Sequence, residues 1–146
     1  MKPILLDTSG LVALLDRSEH YHQACANVLA EISRPLVTCE AVIAEACHLL
    51  RRMPGAAETV LKNIQGGIIR VPWSLAGQEF RVEELLKQYA TVPMAFADAC
   101  LVCMAENLEV ADILTLDSDF AIYRWSSQKT FRILVNLPER SRRTRR

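Results

Sequence analysis

The sequence predicts an α/β protein of three layers, a central parallel five-stranded sheet flanked by helices. Three observations carry this. Short apolar runs at residues 4–6, 36–39, 68–71, 110–115 and 131–135 alternate with longer segments of helical periodicity. The short runs are apolar at consecutive positions instead of every second one, as strands buried on both faces require. The chain has 146 residues, of which 51% are hydrophobic and 23% charged, which suits one core and leaves no room for two.

Each element follows from local chemistry. Ile4-Leu5-Leu6 reads as a buried strand ended by Asp7, and Thr8 or Ser9 is placed to cap a helix reaching Leu15. Residues 16–19 break the pattern, and Ser18 is a candidate cap for a second helix over 19–32, closed by Arg34-Pro35. A strand at 36–39 precedes a helix over 40–52 with Val42, Ile43, Cys47 and Leu50 on its inner side. Pro54-Gly55 punctuates before a helix over 56–64, and Gly66-Gly67 turns into the strand at 68–71, which Pro72 stops. Ser74 opens a helix to Ala90 with Leu75, Val82, Leu85 and Leu86 inward. After Pro93 the segment 95–106 is apolar almost all round, so it belongs at the centre of the core. Strands at 110–115 and 131–135 complete the sheet.

Charge is unevenly placed. The 17 basic and 17 acidic residues cancel, but five arginines and one acid lie from Pro138 onward, which leaves 12 basic against 16 acidic residues before it. We therefore divide the chain into a domain at 1–137 and a flexible Arg-rich tail at 138–146. An acidic body argues against a module held on duplex by a broad basic face. It suits an enzyme that gathers acids round cations, which in turn attract phosphates. The five cysteines are odd in number and lie in apolar stretches, as reduced thiols of a cytoplasmic protein do. The opening is too short in apolar residues for a signal peptide, and no run approaches a bilayer span.

In open α/β sheets ligands bind at the carboxyl ends of strands near a switch in strand order, and two acids stand there. Asp7 directly follows the first strand, and Asp117 follows the fourth. Asp98 lies in the apolar stretch Met94-Ala95-Phe96-Ala97-Asp98-Ala99-Cys100 with no basic residue nearby. Burying such a charge costs several kcal/mol unless it is paired or holds a metal, more than the about 0.3–1 kcal/mol a helix dipole returns. Glu45 is the weaker case, since a glutamate on a helix is ordinarily solvated. Converging acids repel one another, so cations must offset them, and all-oxygen ligation suits Mg²⁺ or Mn²⁺. Such ions activate water and stabilise the leaving oxygen of a phosphodiester.

The residues that carry these acids resemble a known family. Leu5-Leu6-Asp7-Thr8-Ser9-Gly10-Leu11-Val12, Val42-Ile43-Ala44-Glu45-Ala46, Phe96-Ala97-Asp98-Ala99 and Ile113-Leu114-Thr115-Leu116-Asp117-Ser118-Asp119 are similar in order and spacing to the four acidic motifs of PIN domains, especially VapC-type toxins. The resemblance implies a metal-dependent ribonuclease. Asp7, Asp98 and Asp117 would bind Mg²⁺ or Mn²⁺, and Glu45 would bind metal or position the water. Asp119 would be a fifth acid, and Thr8, Ser9 and Thr115 supporting hydroxyls. It also implies RNA cleavage to 5′-phosphate and 3′-hydroxyl ends, a homodimer, and silencing by a small antitoxin that reaches the acidic site with a basic side chain. Arg140, Arg142 and Arg143 in the tail either hold RNA backbone or belong to a solubilising end.

Other signals weigh less. Cys100-Leu-Val-Cys103 sits mid-helix, not at a helix start where a thiolate is stabilised. His20 and His22 have no evident third ligand, and His48 is not needed by the chemistry. Trp73 and Trp125 read as packing residues. Two rival readings remain. A phosphatase of the haloacid dehalogenase type would need a second Asp where Ser9 stands. A non-catalytic metal-binding or regulatory α/β domain would use Asp7 but has no need of Glu45 and Asp98.

Overall fold

The computed structural model describes residues 2–138, so the predicted tail arginines Arg140, Arg142 and Arg143 lie outside the described residues. Five parallel strands form the sheet: β1 (Ile4–Leu6), β2 (Leu36–Val37), β3 (Ile69–Arg70), β4 (Asp112–Leu114) and, last in the chain, β7 (Arg132–Ile133). Helices α1 (Thr8–Leu15), α2 (His22–Glu31), α3 (Glu40–Leu49), α4 (Ala56–Gln65), α5 (Glu79–Gln88) and α6 (Phe96–Leu108) fill the connections. A 3₁₀ turn (Ser118–Ala121) and a hairpin of β5 (Arg124–Trp125) and β6 (Lys129–Thr130) lie between β4 and β7. None of the described helices is long and apolar enough to cross a membrane.

Strand order is β3-β2-β1-β4-β7. The chain steps outward from β1 through β2 to β3, then returns to the other side of β1 with β4. The reversal opens a crevice beyond the carboxyl ends of β1 and β4, and strand order alone puts Asp7 and Asp117 at it. All three β1 side chains are fully buried, as are Ile113 and Leu114 of β4. Removing each such side chain from water contributes roughly 1.5–3 kcal/mol. Residues Ala97 to Ala105 of α6 are all buried, so this helix is surrounded, as its unbroken apolar run requires.

Gly10 sets how closely α1 lies on the sheet. A Cβ at this position would stand 2.3 Å from the carbonyl oxygen of Leu114. At the opposite, amino end of β4, Asp112 receives Arg34 and Arg132, each at 2.7 Å. These two guanidiniums hold its carboxyl below the usual carboxylate range. The group ties the loop before β2 to β4 and β7.

The structure differs from expectation at element ends. The fifth helix begins at Glu79, not Ser74: the Ser74 hydroxyl accepts from Ala76 N, Gln78 N donates to Leu75 O, and Gly77 sits at φ +90°. That turn competes with helix, and it leaves Leu75 exposed instead of inward. Ser18 does not cap the second helix. Its N–H and hydroxyl both donate to Asp16 Oδ1, and α2 starts only at His22. Neither Thr8 nor Ser9 caps α1, whose N-cap position is Asp7. The third helix stops at Leu49, where tight turns through Leu50 and Met53 take over. The β5–β6 hairpin was not anticipated. Its loop holds Ser126 and Ser127 at positive φ, positions where glycine or asparagine would have signalled the turn.

Candidate active site

A cleft of about 300 Å³ opens beyond the carboxyl ends of β1 and β4. Asp7, Glu45, Asp98 and Asp117 all line it, so four acids from four separate stretches of chain meet there. The described residues of its wall include no Lys, Arg or His. Each acid arrives by a different route. Asp7 leaves β1 with extended backbone (φ −85°, ψ 164°) and ends on its way into α1. Asp98 lies in the first turn of α6, and Glu45 is on α3. Asp117 precedes the 3₁₀ turn, and its Oδ1 accepts from Asp119 N at 2.9 Å.

Asp7 is the best supported. Thr115 Oγ1 donates to its Oδ2 at 2.6 Å and accepts from Asp117 N at 3.0 Å, so one hydroxyl touches both the first and the fourth acidic motif. Ser9 Oγ accepts from Leu116 N at 2.8 Å and lies 3.2 Å from Thr115 Oγ1 and 3.4 Å from Asp7 Oδ2. Thr38 Oγ1 donates to Leu6 O at 2.8 Å and holds the end of β1 to the end of β2. Thr8 lines the cleft as well, and its buried hydroxyl has no hydrogen-bond partner among the described residues. Such an atom carries a desolvation cost unless something in the cleft supplies a partner.

Electrostatics set this site apart from the rest of the molecule. Burial pushes the Asp7 carboxyl up to about 6, against hydrogen bonds from Thr115 and Thr8 that lower it, with Asp117 and Glu45 adding repulsion. Burial pushes Asp98 up to about 8, and the charges of Asp7, Asp117 and Glu45 push in the same direction. Asp7 is 3% exposed and Asp98 8% exposed. Two carboxyls that resist ionisation in a shared acidic cleft form an oxygen donor set that a hard divalent cation satisfies. Among the described residues no three His, Cys, Asp or Glu side chains are already gathered as a closed ligand set. The unpartnered Thr8 hydroxyl and the raised carboxyls both fit such a cation.

Two residues of the site escaped the sequence. Glu19 lines the cleft from the turn between α1 and α2. The turn that presents it is built by Asp16, whose carboxyl is held low by the Ser18 hydroxyl and N–H. Tyr123 donates from its hydroxyl to Asp98 Oδ2 at 3.0 Å, from a fully buried position. Burial and the neighbouring acids raise the Tyr123 hydroxyl's pKa, so it stays a donor. Glu19 belongs to no motif, and Tyr123 reads in sequence as one more core aromatic. Asp119, expected as a fifth acid, is buried in the 3₁₀ turn and does not line the cleft.

The discounted signals stay outside the cleft. Cys100 and Cys103 are buried in α6. His22 Nδ1 lies 2.7 Å from Ala13 O, a tie between α1 and α2. Trp73 and Trp125 are buried, each with its ring N–H bonded, to Asn107 and to Thr130 O.

Comparison with known proteins places the chain in a family. The sequence profile of the PIN domain matches residues 4–125. The chain is 28% identical over 116 residues to Ribonuclease VapC26 of Mycobacterium tuberculosis (strain ATCC 25618 / H37Rv), a match that covers 78% of this chain and 86% of the relative. The crystal structure of Mycobacterium tuberculosis VapC20, a Sarcin-Ricin loop cleaving toxin, superposes with a TM-score of 0.74 at 23% identity, over 82% of this chain and 93% of that one.

Proposed function

The chain belongs to the PIN domain family, and from that premise we propose that it is a ribonuclease of the VapC type, the toxin of a toxin–antitoxin pair. The observation that carries the reading is the pair of buried carboxyls, Asp7 and Asp98, raised by burial and by their acidic neighbours at the strand-order reversal. Such carboxyls repel one another at a cost to the fold, the pattern expected of a functional site. That pattern has a use in cleaving a phosphodiester. The named relative VapC26 is a ribonuclease, which supports RNA as the substrate.

In this reading Asp7, Asp98 and Asp117 would hold Mg²⁺ or Mn²⁺, and Glu45 at the exposed side of the cleft would bind metal or position the attacking water. When bound, the ion supplies charge neutralisation for the scissile phosphate and a water of lowered pKa. Thr115 fixes the Asp7 carboxylate through its hydroxyl and, through Asp117 N, the spacing between the two motifs. Ser9 holds Leu116 in place behind them. In-line attack leaves a 5′-phosphate and a 3′-hydroxyl. The nuclease domain is residues 1–137, working as a cytoplasmic homodimer. A small antitoxin silences the site by offering a cation to its acids.

The test is cleavage of a mixture of structured RNAs by the purified chain and by its Asp98→Asn variant, with Mg²⁺, with Mn²⁺ and with chelator. Metal-dependent products absent in the variant support the reading. Metal binding without cleavage, in protein shown free of a co-purified antitoxin, would turn it toward a non-catalytic binding domain.

A further inference from the structure

We propose that Tyr123 is a positioning residue for the metal-holding carboxylate of Asp98, an inference that rests on the ribonuclease reading above. The argument begins with how Tyr123 is held. Its ring is fully buried, edge-on to Tyr89 at 5.1 Å between centroids and 70°, and edge-on to Phe120 at 5.0 Å and 85°. Phe120 meets Phe131 in the same manner at 5.4 Å and 87°. Edge-to-face contacts of this kind fix ring orientation as well as burying area.

The backbone on both sides of Tyr123 is also tied. Tyr123 N donates to Asp119 O at 3.1 Å, and Arg124 N donates to the Tyr89 hydroxyl at 2.9 Å. The Arg124 guanidinium donates to the carbonyls of Ala121, Ile122 and Tyr123. The phenol therefore has little freedom, and the atom it presents is a single hydroxyl at hydrogen-bond distance from Asp98 Oδ2.

The consequence for Asp98 is selection of one oxygen. With Oδ2 engaged by the phenol, Oδ1 is left to serve the cleft that Asp98 lines. Thr115 does the same for Asp7 by engaging Oδ2. The two devices come from one stretch of chain. Thr115 opens it, Asp117 and Asp119 are bonded to each other along it, and Tyr123 closes it. The segment from Thr115 to Tyr123 thus orients carboxylates carried by β1 and α6 as well as its own Asp117. Partners behind a metal ligand set its orientation, and losing one typically weakens metal affinity by ~10- to 100-fold.

The test is Tyr123→Phe, which keeps the ring and its aromatic contacts and removes only the donor. Mn²⁺ affinity is measured by calorimetry on the RNA-free protein, and kcat and KM for RNA are followed across Mn²⁺ concentration. The expected result is Mn²⁺ affinity lower by ~10-fold or more, a matching rise in the Mn²⁺ needed for half-maximal rate, and KM for RNA little changed. In an Asp98→Asn background the same substitution should add no further loss. A second measurement uses wild-type protein carrying 3-fluorotyrosine, its resonances assigned with Tyr21→Phe and Tyr89→Phe: the Tyr123 signal should move on addition of Mg²⁺. Equal Mn²⁺ affinity in Tyr123→Phe and wild type, or a Tyr123 resonance indifferent to Mg²⁺, overturns the inference and leaves the ribonuclease reading standing. Wild-type protein that neither binds Mn²⁺ nor cleaves RNA overturns both.

Discussion

The Thr115 hydroxyl donates to Asp7 Oδ2 at 2.6 Å across the junction of β1 and β4. It joins two residues 108 positions apart at the one place where strand order reverses. It is also the acceptor for Asp117 N at 3.0 Å. Together with Ser9, whose hydroxyl accepts from Leu116 N, it fixes the first acidic motif against the fourth.

Replacing Thr115 with valine keeps the buried volume and removes both bonds. Asp117 N then loses its acceptor and Asp7 its donor, in a position fully closed to water. Stability should fall by about 1–3 kcal/mol, read as a lower Tm. RNA cleavage should fall by ~10- to 100-fold, and serine at the same position should restore most of it. Valine with full activity would show that the hydroxyl does not orient the acids.

Asp98→Asn separates stability from activity. The variant removes a carboxyl that burial and three acidic neighbours raise to about 8. In metal-free protein near pH 8 it should be at least as stable as wild type, because the repulsion is gone. Its RNA cleavage should drop by more than ~100-fold and its Mn²⁺ affinity should fall with it. Thermal melts and gel assays on the same samples check both halves.

The raised carboxyls also set a pH dependence. Asp7 and Asp98 keep their protons to about 6 and about 8 in the folded chain, against ~3.9 for an aspartate in the unfolded one. Above ~pH 4 the unfolded state releases these protons first, so the folded state binds more, and stability falls as pH rises toward about 8. Metal-free protein should melt several degrees lower at about pH 8.5 than at about pH 6. Millimolar Mg²⁺ should raise the higher-pH melt most, since it binds the ionised acids. A melt that climbs over this interval without metal would contradict the assignment.

How far the sequence reached follows from what it encodes locally. The strand runs and the acids that end them were legible because an apolar stretch closed by a carboxylate is a short-range signal, as in Ile4-Leu5-Leu6-Asp7. Asp98 was legible because its neighbours are apolar and its charge is not. Glu19 was hidden because a turn made by Asp16 and Ser18 aims it, and nothing about a glutamate in a polar break marks it. Tyr123 was hidden because its bond to Asp98 spans 25 residues and two elements. The later start of α5 has the same kind of origin: helical spacing extends over residues 74–78, but the turn made by the Ser74 hydroxyl and the positive φ of Gly77 overrides it.

Gly10→Ala tests whether the site depends on the close approach of α1 to β4. The added Cβ would meet the Leu114 carbonyl oxygen at 2.3 Å, and the obstacle is backbone, so no side chain can swing aside. Leu114 O is also the acceptor of Asp7 N at 3.1 Å. Moving α1 outward to relieve the clash must therefore pull on Asp7 itself, which leads directly into that helix. The cost to stability should be about 1–3 kcal/mol, toward the upper end because the obstacle is backbone. The folded fraction should retain less activity per molecule than a Val60→Ala variant in α4, a buried site not in the cleft lining. If Gly10→Ala loses stability while each folded molecule cleaves RNA as wild type does, then α1 and Asp7 are not coupled through Leu114, and the tight packing serves the core alone.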